Sequence, residues 1–77
     1  MTTKEKQARL VEILAGWQQI ESRSMAQCGD IADRTRNPVI RLVMEIIRRD
    51  SAMHHRVQQF VMDSVEKEAV SLTVQDL

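Results

Sequence analysis

This chain of 77 residues has little with which to make turns, cross-links or aromatic clusters: one proline, two glycines, one cysteine, one tryptophan, one phenylalanine and no tyrosine. A single cysteine, Cys28, excludes an internal disulfide, and the polar start "MTTKEKQARL" has no apolar core of the kind a secretory signal needs. The expectation is a reduced, cytoplasmic protein. Apolar runs are short, as at Pro38–Ile40 and Leu42–Met44, far below what a membrane span requires, so no membrane partner is expected. Charge of either sign is not in excess either. Eleven basic residues balance eleven acidic ones, which leaves no overall field to draw in nucleic acid, an anionic membrane or an acidic substrate.

What remains is a supply of helix formers, chiefly Leu, Ile, Met, Glu, Gln and Arg, so the chain is expected to be all-α. At this length it forms one domain, whose lone core is marginal without a partner or a bound group. Thr2 followed by Glu5 has the spacing of a capping box, which starts a helix over about residues 3–33. The stretch "DRTRNP" breaks the periodicity and sets a bend over residues 34–37. Asn37 is a good N-cap and Pro38 a good first helical residue, because proline lacks the amide hydrogen that would go unpaired there. A second helix follows over about residues 38–68. In the tail, residues 69–77, Thr73 and Asp76 repeat the capping-box spacing, as though to begin a third helix of a longer chain; a frayed polar end is the plainer alternative.

At 100° per residue, Leu10, Ile13, Leu14, Trp17, Ile20, Ser24, Met25, Cys28 and Ile31 share one arc of the first helix, with Glu21 near its centre. On the second helix, Val39, Leu42, Val43, Ile46, Met53, Val57, Phe60 and Val61 group together, with Asp50 central and His54 slightly off centre. His55 rotates away and reads as a solvated histidine. Ile40, Met44, Ile47 and Met62 add a second apolar strip, which makes this face too wide for one neighbouring helix to cover. An antiparallel two-helix hairpin that dimerises into a four-helix bundle is the economical solution, so a homodimer or higher homo-oligomer is expected. With the bend centred between Thr35 and Arg36, residues whose numbers add to 71 lie level, which sets Glu21 beside Asp50 and Trp17 beside His54.

Two carboxylates and an imidazole buried together need compensation, since desolvation disfavours each charge and the acids repel. Protonation of one acid, an Asp50–His54 pair or a nearby arginine would serve. A divalent metal would serve better, because oxygen and imidazole donors on facing helices suit iron, manganese or zinc. Glu21, Asp50 and His54 are therefore the candidate metal ligands, doubled to six in a symmetric dimer.

Glu21 within "WQQIES", the bend "NPVIRLVMEIIRRD" and the acid before histidine in "DSAMHH" resemble the ferritin-like superfamily, the rubrerythrin-like carboxylate di-iron proteins. The resemblance spans about residues 12–65 and implies a ferritin-like four-helix bundle. It implies Glu21 as the carboxylate ligand of the first helix and His54 as the imidazole ligand of the second. It also implies iron, with oxidation of ferrous iron or reduction of oxygen or peroxide. The family's second helix carries Glu-x-x-His, whereas Ser51 stands three residues before His54 here and Asp50 four residues before it. Asp50 stays on the same helix face but is one methylene shorter, so its bridging of two metals is put in question.

The competing expectation is a non-catalytic dimerisation or interaction module, in which Glu21, Asp50 and His54 form a polar layer that fixes helix register. Nucleic-acid binding is a distant third. Arg34, Arg36 and Arg41 cluster at the bend, but there is no net positive charge and little aromatic surface, and the arginines can pair with Glu45 or Asp33. Trp17, Cys28 and the methionines Met25, Met44, Met53 and Met62 are expected to fill the core. No nucleophile with a base, phosphate loop or paired-cysteine zinc motif is present.

Overall fold

Thr2 opens the first helix as its spacing predicts. Its Oγ1 accepts from the Glu5 amide at 3.1 Å and donates to Glu5 Oε1 at 3.1 Å, so the cap is closed by the side-chain pair. The computed structural model describes the backbone of residues 1–75 and the side chains of residues 1–67. Two helices make up the described chain, α1 over Thr3–Arg34 and α2 over Pro38–Gln75. The fold is an all-α helical hairpin.

The bend between them is three residues long and dense in hydrogen bonds. Asn37 Oδ1 accepts from the Val39 amide at 2.9 Å, as an N-cap should. Arg41, one turn into α2, reaches back and donates to the carbonyls of Ala32 at 3.4 Å and Thr35 at 2.9 Å. It thereby satisfies carbonyl oxygens that the end of α1 leaves free. Past Glu68, α2 continues to Gln75 where a tail was expected. Thr73 thus lies inside a helix; Asp76 lies outside the described residues.

The two helices meet along a seam of regular 3–4 spacing. On α1 it runs through Gln7, Val11, Leu14, Gln18, Glu21, Met25, Cys28 and Ala32, and on α2 through Met44, Ser51, His55, Gln58, Met62 and Val65, all buried or half-buried. Spacing of this kind is that of an antiparallel coiled coil. Polar and small residues are unusually common in it. Its waist is a hydrogen bond from Ser51 Oγ to Ser24 Oγ at 2.9 Å, with Ser51 only 5% exposed. Cys28 is a small buried filler, as expected.

The seam corrects two readings of the sequence. His55 is half-buried in it, and its carbonyl accepts from Gln18 Nε2 at 3.2 Å, so it is not the freely solvated histidine expected. The register also differs. Ser24 with Ser51 and Glu21 with His54 are level, so the sum is 75 and not 71, a displacement of one helical turn. Arg34 stays helical, and the point about which the levels reflect lies between Asn37 and Pro38, two residues later than assumed.

Much of the apolar material faces away from the seam. Leu10, Ile13, Trp17, Ile20 and Ile31 on α1, and Val39, Ile40, Val43, Ile46, Ile47, Met53, Val57 and Phe60 on α2, are all exposed. Helical spacing puts them on one flank of the hairpin, the flank where Glu21 meets His54, and around the adjoining back of α2. The hairpin is a rod of 61 × 17 × 12 Å with a radius of gyration of 17.5 Å, against about 11.5 Å for a globular domain of this length. Its accessible surface is 6201 Å², whereas a folded monomer of 8.9 kDa exposes about 4,800 Å². Among the described residues, no helix is long and apolar enough to cross a membrane.

Candidate metal and polar layer

Glu21 occupies the seam position between Gln18 and Met25, which holds its carboxylate close to α2 and leaves its side chain 20% exposed. Across from it, His54 leans out of the seam toward the apolar flank and is 62% exposed. The imidazole Nδ1 lies 3.3 Å from Glu21 Oε1, an ion pair when the imidazole is protonated. Two of the three residues singled out in the sequence are thus brought together, on facing helices, without any help from a partner.

Asp50 is separated from them. It is exposed, one helical turn nearer the bend on α2, and level with Met25, because the register is shifted by that turn. Among the described residues it has no ion-pair partner, and no three side chains of His, Cys, Asp or Glu gather closely enough within one hairpin to hold a metal ion. Carboxylate oxygen and imidazole nitrogen are the right donor chemistry for iron, manganese or zinc. A single hairpin supplies only two of them at one place, which falls short of a metal's coordination number.

The surroundings sharpen the electrostatics. On the apolar flank between Leu10 and Ile31, and between Val39 and Phe60, Glu21, Asp50 and His54 are the ionisable groups nearest the seam, with Arg49, one turn before Met53, at the back of α2. Arg48 pairs with Glu45 at 3.1 Å and Arg34 with Asp30 at 3.0 Å, both along their own helices. Among the described residues neither Glu21 nor Asp50 is paired with an arginine or lysine.

At position 51, where the resemblance would place a second glutamate, the buried Ser51 hydroxyl ties the helices together through Ser24. A larger carboxylate there would have to displace that contact. Sequence reasoning also missed the glutamine chain on the opposite flank. Gln18 Nε2 donates to Gln59 Oε1 at 3.0 Å, and Gln59 Nε2 in turn to Asp63 Oδ1 at 2.9 Å. Its signal was the 3–4 spacing of Gln18 with Leu14 and Glu21, which hydrophobicity alone does not weigh. The chain matches no protein-family model, no curated protein and no solved structure.

Proposed function

We propose that this is a metal-binding helical-bundle protein of the ferritin-like kind, in which two hairpins close over their apolar flanks and enclose the layer of Glu21, His54 and Asp50. The observation that carries the reading is the Glu21–His54 contact on a largely apolar flank, with Asp50 on the same flank and, among the described residues, no arginine or lysine paired with either acid. Two copies bring four carboxylates and two imidazoles into one interior, so even with both histidines protonated the layer retains excess negative charge. A divalent cation balances it with the donor atoms already present.

Self-association is supported by the exposed flank. The hairpin carries about 1,400 Å² more surface than a compact monomer of its mass, whereas a standard interface removes about 800 Å² per partner. In the assembled bundle, Glu21 and Asp50 would serve as carboxylate ligands and His54 as the imidazole ligand. Iron is the first candidate by the resemblance, with manganese and zinc as alternatives. Bound iron would supply oxidation of the ferrous ion or reduction of oxygen or peroxide, the chemistry of the family it resembles.

The second reading is a dimerisation module without metal, in which the same layer fixes the pairing. The observation that favours it is that Glu21 and His54 already compensate one another at 3.3 Å. Elemental analysis of tag-free protein, purified without chelator, separates the two. Stoichiometric iron, manganese or zinc that is lost in Glu21→Ala and in His54→Ala supports the metal reading. A stable, metal-free dimer that does not take up these ions on dialysis overturns it in favour of the second.

A further inference from the structure

The apolar flank has a centre, and the register locates it. Read level by level, its α1 residues Leu10–Ile31 stand opposite positions 44–65 of α2, since level residues add to 75, while its own α2 residues run over Val39–Phe60. Both the whole stretch, 39–65, and its doubly apolar part, 44–60, have their midpoint at Ala52, which is level with Arg23. Full coverage of one such flank by an inverted copy places the two-fold axis across the rod at that level, with the bends at opposite ends. Each residue of α2 then stands level with the residue of the partner equally far beyond position 52. For Asp50, that residue is the partner's His54.

We infer that this protein pairs with a second copy of itself in antiparallel fashion about the level of Ala52, so that each copy's Asp50 completes the Glu21–His54 pair of the other. The inference rests on the self-association proposed above and assigns its geometry. It accounts for the one feature that a single hairpin leaves unexplained, an aspartate at the centre of an apolar flank and one turn away from the pair it was expected to join. The opposite arrangement, with both bends at one end, sets the two Asp50 carboxylates on one level and leaves each of them a full turn away from either imidazole. In the antiparallel pair each imidazole meets carboxylates from both copies, and two equivalent groups of three form, about 6 Å apart along the bundle.

Nitroxide labels read this geometry directly. In a Cys28→Ala background, a single label at Arg36→Cys, in the exposed bend, would lie about 40 Å from its partner in the antiparallel pair. A label at Lys6→Cys, near the other end, would lie about 50 Å from its partner, so the two sites check each other if one disturbs folding. Sedimentation of the labelled and unlabelled full chain should give a dimer, and pulsed electron-electron measurements should give these long distances. A dimer with label distances under about 20 Å at both sites overturns the antiparallel geometry while leaving self-association intact. A monomer at the concentration of the measurement overturns both. Metal content is not read by either measurement, so the metal reading fails or stands independently.

Discussion

The seam between the helices and the apolar flank beside it are built from opposite materials. Within the seam Gln7, Gln18, Glu21, Ser51, His55 and Gln58 alternate with apolar residues, of which Leu14 and Met62 are the largest buried. On the flank are Trp17, Ile20, Ile46, Val57 and Phe60, with Trp17 still 53% and Phe60 72% exposed. The surface that pairs the helices within one chain is thus less hydrophobic than the surface left over. Burial energy scales with apolar area removed from water, and most of the apolar area that could still be buried lies on the flank. The seam, with its hydrogen bonds and small residues, gives register and close approach.

The sharpest way to break that contrast is to charge the flank. Trp17→Glu together with Phe60→Glu places two acids where the partner would sit, and the dimer dissociation constant is expected to rise at least about 100-fold, read by sedimentation over a concentration series. Truncation within the seam should act on the hairpin itself. Leu14→Ala removes one of its few large buried side chains and is expected to cost about 2–3 kcal/mol in urea unfolding at fixed protein concentration. A smaller effect of opposite sign is expected from Gln58→Leu. Gln58 Oε1 is buried and has no hydrogen-bond partner, so replacing the amide by an apolar side chain at a seam position should stabilise by about 1 kcal/mol in the same measurement. If Gln58→Leu destabilised, the seam would depend on its polar residues for more than register.

Those two surfaces also explain what the sequence discloses and what it hides. Helix type and the first cap follow from local rules: Thr2 and Glu5 behave as their spacing demands, and Asn37 with Pro38 starts α2. Glu21 was expected level with Asp50, and Trp17 with His54; Glu21 instead meets His54, because both lie near the contact line. Hydrophobic periodicity pointed to the flank, since Trp17, Ile20 and Phe60 dominate any such average, and it passed over a seam of glutamine, serine and histidine. Setting the point of reflection two residues early was enough to move Asp50 by a full turn, because each residue of displacement counts on both helices.

The clamp of Arg41 on the last carbonyls of α1 has a kinetic consequence. Its bonds join residues only six and nine apart in the chain, so the corner can form before any distant contact exists. Pairing that starts at the corner is expected to run outward like a closing zip, each turn bringing the next level within reach at small entropic cost. The open ends, near Thr3 on one strand of the hairpin and toward Gln75 on the other, would join last and part first. Hydrogen exchange should therefore slow progressively from those ends toward the corner.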